Sequence, residues 1–434
     1  MKLKERLKNL PRFIVKGRIV GVSGPIIEAY LPNVSIGDSC YFENGLEAEV
    51  VGFKDGKTLL MSYDDTRGIK VGSFVEASLE PVNVGVGDEL LGCVIDPFGN
   101  PLNKDYIRYS NKYYLKNDPL NPLLRDRITE PLDVGIRSIN GLLTIGKGQR
   151  IGIFASAGVG KSTLLGMISR YTEAEVNVIA LIGERGREVR EFIEDNLTEE
   201  ALKKSVVVAA TSDQTPLAKV RAVYVAIAIA NYFSNRNKNV LFLVDSLTRL
   251  AMAQREIGLA IGEPPTSKGY TPSVFSLLPK IIEQAGTFSG KGSITGIYTV
   301  LVEGDEIASD PVADAAVGFL DGHIVLSKEM AQKRIFPAID PLKSISRLTP
   351  QLVDEEILRM QSKFISLMAT YKEAEDMITM GLYKKGTSKQ IDLAIQYKDT
   401  LESYLKQPIH EKVNLKRSFE ELEKIVKTIE NEKV

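Results

Sequence analysis

A glycine-rich segment carries the strongest chemical signal in this sequence. Residues 155–162 read Ala-Ser-Ala-Gly-Val-Gly-Lys-Ser, between an apolar run and a helix-like run. In such a loop, small residues let backbone N–H groups turn inward around phosphate oxygens, lysine faces the β- and γ-phosphates, and a serine hydroxyl binds Mg²⁺. The segment therefore predicts a P-loop. Its predicted nucleotide contacts are Ala157, Gly158, Val159, Gly160, Lys161, Ser162 and Thr163.

Two carboxylates stand where they could complete this site. Asp245 ends the apolar run Leu-Phe-Leu-Val-Asp, and a buried strand that delivers an aspartate to its carboxyl end supplies the Mg²⁺ partner expected in P-loop enzymes, here through water. Glu184 follows the apolar run 176–182, and a carboxylate beside the phosphates could polarise an attacking water. The charged residues that follow Glu184 fit equally well a solvated start of the next helix.

Composition and charge exclude several other classes of protein. The chain has 434 residues, 44% apolar and 26% charged, as in an ordinary soluble protein of several domains. Its 55 basic and 56 acidic residues leave a net charge of −1, which argues against a surface devoted to nucleic acid. Two cysteines and two histidines exclude a disulfide scaffold and argue against a histidine-rich metal site. His323 is expected to be structural. No apolar run is long enough to predict a membrane span, so we expect a cytoplasmic protein.

The pattern along the chain predicts five parts. Residues 1–12 form a basic amphipathic segment, which fits a short docking helix and a frayed, solvated terminus equally well. Residues 13–85 contain short apolar runs separated by glycine turns, typical of a small β-barrel. Prolines break up residues 86–147, which we interpret as a linker. Residues 148–347 are the predicted P-loop domain, and residues 348–434 are predicted to be helical.

The central part predicts an α/β fold. Continuous apolar runs alternate there with helical stretches, as expected for a parallel sheet covered by helices on both faces. The predicted strands are 150–154, 176–182, 205–210, 240–244, 293–301 and 323–326.

The C-terminal part shows helical periodicity. Apolar residues from Ile357 to Ala374 recur at steps of three and four, which predicts one long amphipathic helix. Gly381 and Gly386 interrupt the pattern. Ser418 followed by Glu421 resembles a capping box and predicts that the last helix begins there.

Longer runs of the sequence resemble one protein family. The P-loop segment 148–162, together with Gly-Glu-Arg-Gly-Arg-Glu-Val at 183–189, is similar to the ATPase of type III secretion and of the flagellar export apparatus. Residues 262–275, 320–327, 336–347 and 381–386 fit the same family, so that the resemblance covers nearly the whole chain. The wider relatives are the catalytic subunits of rotary ATP synthases. The resemblance implies a RecA-like P-loop core that binds ATP with Mg²⁺, an N-terminal β-barrel and a C-terminal helical domain.

The resemblance also implies roles for single residues. Glu184 corresponds to the carboxylate that orients water, and Arg185 and Arg249 correspond to its supporting arginines. Phe336 stands where the family packs an aromatic ring on adenine. Arg347 resembles the arginine finger that a neighbouring subunit directs at the γ-phosphate, where such a group can contribute about 10³–10⁵ in rate.

Partners are implied in the same way. A finger used between subunits implies a homohexameric ring. The family implies a stator-like regulatory protein bound at residues 1–12, a central-stalk-like export protein, export chaperones with their substrates, and an export gate at the membrane. The expected location is the cytoplasmic side of the inner membrane, at the base of the secretion apparatus. Hydrolysis would promote chaperone release, unfolding and export of flagellar proteins.

Four alternatives remain open at the level of sequence. A rotary ATP synthase or ion-pump subunit would accommodate both Glu184 and Arg347, and a virulence-type secretion ATPase would share every motif. A hexameric RNA helicase would need a basic barrel with clustered aromatic residues, whereas the aromatic residues of 14–85 are scattered. A non-catalytic nucleotide-binding scaffold would have no use for Glu184.

Overall fold

The computed structural model describes residues 15–78, 80–115, 121–302 and 307–431. The predicted amphipathic segment 1–12 lies outside these residues. The described chain contains a β-barrel, an α/β domain and a helical C-terminal region, which confirms the expected fold class.

The N-terminal region is a closed six-stranded barrel with the strand order β1-β2-β5-β4-β3-β6. Buried aliphatic side chains such as Ile19, Ile27, Val50, Leu60 and Val75 fill its interior. Its strands are β1 Val15–Ser23, β2 Ile26–Tyr30, β3 Ser39–Phe42, β4 Glu47–Lys54, β5 Lys57–Ser62 and β6 Phe74–Ala77.

A buried arginine fastens the barrel to the central domain. The guanidinium of Arg221 lies over the rings of both Tyr63 and Phe98, 4.9 and 4.7 Å from their centroids, and its Nη1 donates to Glu47 Oε1 at 2.9 Å. A desolvated guanidinium that stacks on aromatic rings and pairs with a carboxylate binds firmly and directionally. This contact therefore fixes the position of the barrel relative to the helix that carries Arg221.

The central domain is built on an eight-stranded sheet with the order β16-β15-β10-β14-β13-β11-β12-β8. All neighbouring strands are parallel except β16, which is antiparallel to β15. Strand β8 comes from the segment interpreted as a linker and pairs with β12 at the sheet edge. The strands of the sheet are β8 Cys93–Ile95, β10 Arg150–Ala155, β11 Val176–Glu184, β12 Ser205–Thr211, β13 Val240–Asp245, β14 Ile294–Leu301, β15 Gly322–Leu326 and β16 Ile345–Ser346. Strands β7 Asn83–Val86 and β9 Asn111–Tyr114 form a separate antiparallel pair.

Helices cover both faces of this sheet. Side chains of a strand alternate between the faces, so Val178 and Ala180 pack with α5 to α8, whereas Ile179 and Leu181 pack with α2 and the C-terminal helices. The helices of the domain are α1 Arg137–Leu142, α2 Lys161–Tyr171, α3 Gly186–Glu191, α4 Glu199–Lys203, α5 Pro216–Ser234, α6 Leu247–Ile261, α7 Pro272–Ile282, α8 Pro311–Phe319 and α9 Lys328–Gln332.

One helix among the described residues is long and apolar enough to cross a membrane by length and composition. It is α5, with 19 residues and a mean hydropathy of 1.2. Since 83% of its apolar 18-residue stretch is buried inside the protein, α5 fits the core helix of an α/β domain.

The C-terminal region packs against one face of the central domain through Phe364, Tyr404 and Leu422. The long amphipathic helix predicted from its periodicity is present. The predicted start of the last helix at Ser418 is wrong, because the helix begins at Leu415 and Asn414 Oδ1 accepts from Arg417 N at 2.9 Å. Ser418 is buried, with its hydroxyl bonded to Asn414 O. The helices are α10 Thr349–Leu352, α11 Glu355–Thr379, α12 Lys389–Leu405 and α13 Leu415–Asn431.

Candidate active site

The order of the strands brings three separate segments to one edge of the sheet. Strands β10, β13 and β11 lie within four neighbouring positions and run in the same direction. Their carboxyl ends deliver the P-loop, Asp245 and Glu184. Ligand sites of open parallel sheets form at this edge, and Lys161, Glu184 and Asp245 converge there.

The P-loop has the backbone that its glycines permit. Gly158 and Gly160 adopt φ values of 80° and 89°, which favour glycine. Val159, between them, is 2% exposed and anchors the loop in the core, whereas Ala157 and Gly158 are exposed. Helix α2 begins at Lys161, so its N-terminal N–H groups and partial positive charge face the loop. Ser162 is exposed on the first turn, with Thr163 half-buried beside it.

Lys161 lies between the two predicted carboxylates. Its ammonium hydrogen-bonds Asp245 Oδ1 and is 3.6 Å from Glu184 Oε1. The side chains of Lys161, Glu184 and Asp245 are only 12%, 14% and 5% exposed. Thr299, on β14, also donates to Asp245 Oδ1, at 2.7 Å. One buried cation thus faces two buried carboxylates, which leaves a local excess of negative charge.

Burial of this cluster changes the titration of Glu184. Burial raises the pKa of Glu184 to about 7, with Asp245 and Glu188 adding to the rise and Lys161 opposing it. The pKa of Glu188 is lowered, chiefly by its hydrogen bond with Glu184. Within the described chain, Glu184 Oε1 is buried and accepts no hydrogen bond, its nearest cation being the Lys161 ammonium. Glu184 can therefore change protonation near neutral pH.

The oxygen atoms at this edge suit Mg²⁺. The Ser162 hydroxyl and the Asp245 carboxylate are hard oxygen donors, and Mg²⁺ takes one or two protein oxygens together with water and phosphate. The described residues contain no group of three or more His, Cys, Asp and Glu that could hold a metal alone. The donor set thus fits an ion that arrives with a phosphate ligand.

The two arginines near Glu184 differ in their contacts. A Cβ on Gly183 would lie 3.0 Å from the Cβ of Arg249, so the Arg249 side chain crosses the backbone next to Glu184. Arg249 is exposed on the first turn of α6. Arg185 is 76% exposed and pairs with Glu188 at 3.5 Å. Both lie at the rim of the cluster.

Phe336 reaches the P-loop from the other side. Its ring carbons lie 3.9 and 4.0 Å from where a Cβ on Gly160 would be. The ring is 42% exposed and precedes a cis peptide to Pro337. A half-exposed aromatic face beside the P-loop provides a platform on which a planar base could stack.

Arg347 does not join the other predicted residues. Its backbone N donates to Asp321 O at 2.9 Å, and Asp321 N donates to the carbonyl of Arg150, the first residue of β10, at 2.8 Å. Arg347 therefore lies at the amino end of the parallel strands, about five strand residues or 16 Å along β10 from the P-loop. Its side chain is exposed.

Two polar residues have roles that the sequence patterns do not predict. Thr299 orients Asp245, and its only signal was a hydroxyl within an apolar strand. Gln407 is 4% exposed and contacts the Phe336 segment through its backbone, but no local pattern marks it. His323 bonds Lys343 O at 3.1 Å through Nε2 and packs edgewise on Phe154, which is the structural environment expected for it.

Three family models match the chain. The beta-barrel domain of the ATP synthase alpha/beta family matches residues 15–78, and the nucleotide-binding domain of that family matches residues 135–346. The C-terminal domain of the T3SS EscN ATPase matches residues 353–424.

Curated relatives match over almost the full length. The flagellum-specific ATP synthase of Aquifex aeolicus is 50% identical over 414 residues, covering 95% of this chain and 93% of that protein. The flagellum-specific ATP synthase of Bacillus subtilis is 51% identical over 410 residues, covering 93% of each.

Solved structures agree with this assignment. The assembled ATPase EscN from the type III secretion system of enteropathogenic E. coli superposes with a TM-score of 0.90 at 42% identity, covering 94% of this chain and 100% of that chain. EscN in complex with its central stalk EscO gives 0.87 at 41% identity over the same shares. The expected resemblance is confirmed: the chain belongs to the flagellum-specific ATP synthase family, the P-loop ATPases of flagellar and type III export that share a nucleotide-binding domain with the ATP synthase alpha/beta family.

Proposed function

We propose that this ATPase hydrolyses Mg-ATP at the carboxyl end of its central sheet and uses the reaction to promote chaperone release, unfolding and export of flagellar proteins. The observation that carries the proposal is the buried cluster of Lys161, Glu184 and Asp245 beside the P-loop. A buried cation between two carboxylates at a phosphate cradle can bind phosphate, hold a metal ion and activate water.

Binding would rearrange the partners of Lys161. The backbone N–H groups of residues 157–163 would surround the phosphates, and the Lys161 ammonium would turn from Asp245 toward the β- and γ-phosphates. Asp245 would then be available, through water, to the same Mg²⁺ that Ser162 contacts. Bound Mg²⁺ neutralises charge on the β- and γ-phosphates.

Glu184 would hold the attacking water in line with the γ-phosphate. In its ionised form its carboxylate can accept a hydrogen bond from that water, and a pKa close to the working pH suits this role. Arg249 would keep the Glu184 backbone in place by packing on Gly183. Arg185 would stabilise charge at the rim through its pair with Glu188.

Phe336 would stack on the adenine ring. Its ring already lies about 4 Å from the P-loop backbone at Gly160. Because phenylalanine presents an aromatic face without a hydroxyl, this contact would add affinity by stacking alone.

Arg347 would act on the nucleotide of a neighbouring subunit. Its position at the amino end of the sheet places it far from its own P-loop, whereas a ring of identical subunits can bring one edge against the opposite edge of the next copy. The similar ATPase EscN has been solved in an assembled form. We therefore propose a homohexameric ring completed by Arg347 from each neighbour.

Further partners follow from the same family. EscN has been solved with its central stalk EscO, and we propose a central-stalk-like export protein for this chain. A stator-like regulatory protein would bind residues 1–12, and export chaperones, their substrates and an export gate would place the ring at the inner-membrane base of the apparatus. We propose no nucleic-acid partner.

A subunit of a rotary ATP synthase is the alternative with the most similar site. The match of residues 353–424 to the C-terminal domain of a type III secretion ATPase favours export instead. The curated relatives named above favour flagellar over virulence-type export.

ATPase activity measured across a wide range of protein concentrations tests the proposal. The specific activity of the purified chain should rise with concentration, because each site needs a neighbour. Glu184→Gln should still bind ATP but lose activity by about 10²–10⁴-fold. Nucleotide binding without hydrolysis at every concentration would contradict a homo-oligomeric ATPase.

A further inference from the structure

The segment between α12 and α13 makes several contacts with the nucleotide-binding domain, and two of them involve elements next to the proposed nucleotide. Gln407, near its start, lies beside the Phe336 segment. Ile409 O accepts from Tyr171 Oη at 2.9 Å and from Arg170 Nη2 at 3.0 Å, both at the end of α2, the helix that follows the P-loop. The C-terminal region is thus attached to both elements that flank the proposed nucleotide.

Gln407 uses its backbone N–H and its whole side-chain amide in hydrogen bonds. Its backbone N donates to Phe336 O at 2.8 Å. Its side-chain Nε2 donates to Gly135 O at 2.8 Å and to Glu411 O at 2.7 Å, and its Oε1 accepts from Arg137 N at 2.7 Å. Both amide hydrogens and the amide oxygen are therefore used.

This bonding fixes the position of the Phe336 carbonyl. The side-chain amide of Gln407 locks its own backbone against residues 135–137, and that backbone N–H in turn holds Phe336 O. Gln407 is 4% exposed, so losing its side-chain partners would leave buried polar groups unpaired rather than solvated. The chain would be expected to shift so that these groups find water, and Phe336 would shift with it.

We propose that Gln407 is a positioning residue that holds Phe336 over the P-loop, so that the C-terminal helical region sets the affinity for nucleotide. The inference rests on the proposed function, in which the Phe336 ring stacks on adenine. Gln407 touches neither substrate nor reacting atoms, and it acts through Phe336 alone.

The test compares nucleotide affinity in the full chain. Gln407→Met keeps the volume and the backbone N–H but removes all three side-chain hydrogen bonds. We expect the calorimetric Kd for ADP and the KM for ATP to rise roughly five- to tenfold, the scale of one base-stacking contact. The kcat at saturating ATP should stay within about twofold, since uniform binding is lost rather than transition-state stabilisation.

Gln361→Met is the matched control. Gln361, on α11, is also a buried glutamine of the C-terminal region, 6% exposed, and its Nε2 donates to Gly141 O of the central domain at 2.9 Å. Its side-chain hydrogen bonds within the described structure go to Gly141 and Thr144, not to the Phe336 segment. Its variant should lower thermal stability to a similar extent without changing the Kd for ADP. Equal rises in Kd for both variants would overturn the proposal, because they would report general loosening.

A double-mutant cycle separates this inference from the proposed function. Phe336→Ala should itself raise the Kd for ADP, and adding Gln407→Met to it should raise the Kd no further. If Phe336→Ala leaves the Kd unchanged, the proposed adenine contact fails and the inference fails with it. If Phe336→Ala raises the Kd but the fold-increases in Kd caused by the two substitutions multiply in the double variant, only the role of Gln407 is overturned. Should Gln407→Met not fold, Gln407→Asn is held to the same expectations.

Discussion

At the carboxyl end of the central sheet, Lys161, Glu184 and Asp245 are buried within one cluster, whereas at the amino end Arg347 is exposed. The first end has two carboxylates for one cation and a phosphate cradle. The second has a cation whose guanidinium is displayed to solvent, close to the Arg150–Asp321 pair. Because these two ends are separated by the length of the strands, the proposed function requires Arg347 of one subunit to meet the P-loop of its neighbour.

Removing the exposed arginine at the amino end of the sheet should have the largest effect on activity. We expect Arg347→Ala to lower kcat by about 10³–10⁵-fold, because the charge that builds up on the transferred phosphoryl group loses its cation. ATPase assays of the assembled protein would measure this loss, and the Kd for ADP should change little.

Lys343→Ala provides the control for charge at the same edge. Lys343 is exposed, and its carbonyl accepts from His323. Its variant should keep activity within about twofold of wild type, as expected for a surface substitution. An Arg347→Ala protein with nearly full activity would show that the amino end plays no part in hydrolysis.

The buried cluster at the carboxyl end of the sheet should make activity depend on pH, an effect of intermediate size. Because the pKa of Glu184 is raised to about 7, the required carboxylate becomes protonated below that pH. We expect kcat/KM to fall about tenfold per pH unit on the acid side, since kcat/KM reports the free enzyme.

Glu188→Gln tests whether the fall in kcat/KM at low pH, the acid limb of the profile, belongs to Glu184. The Glu188 carboxylate helps to raise the pKa of Glu184, so removing its charge should move the limb to lower pH. An acid limb that does not move, or that moves to higher pH, would assign it to another group.

The smallest expected effect is on the thermal stability of the nucleotide-free protein. Glu184 has a raised pKa in the folded protein, so between about pH 4.5 and 7 the unfolded chain loses this proton while the folded protein retains it, and the free energy of unfolding falls as pH rises. Glutamine has no such proton. The Tm of Glu184→Gln should therefore exceed that of wild type by roughly 3 °C or more at pH 8 and approach it near pH 4.5.

Glu194→Gln is the control for this stability effect. Glu194 is 56% exposed and pairs with Arg190 at the surface, where such pairs contribute little. Its Tm difference from wild type should be small at every pH. A Glu184→Gln protein that is less stable than wild type at pH 8 would contradict the assigned burial of charge.

Much of the candidate site could be predicted from sequence, because local patterns mark it. The P-loop glycines, the apolar strands and the residues that end them fix which side chains reach the carboxyl edge of a parallel sheet. Lys161, Glu184 and Asp245 therefore converge as expected. Apolar periodicity likewise predicted the long C-terminal helix.

The remainder depends on contacts between distant parts of the chain. Gln407 and Phe336 are joined by a backbone hydrogen bond across separate elements, and no local pattern encodes such a contact. The three-residue strand Cys93–Ile95 gains its place through pairing with β12, so its own sequence reads as a loop. Ser418 resembles a cap, yet burial of its hydroxyl and the amide of Asn414 decide where the helix begins.

Mixing two inactive variants tests most directly whether the active site is shared between subunits. Glu184→Gln retains Arg347, and Arg347→Ala retains Glu184, so an interface formed between the two variants in one orientation is complete. In an equimolar mixture roughly one quarter of interfaces have that composition if subunits assemble at random. We expect mixing to restore ATPase activity up to about that fraction of wild type. A mixture no more active than the two proteins measured separately would contradict an active site shared between subunits.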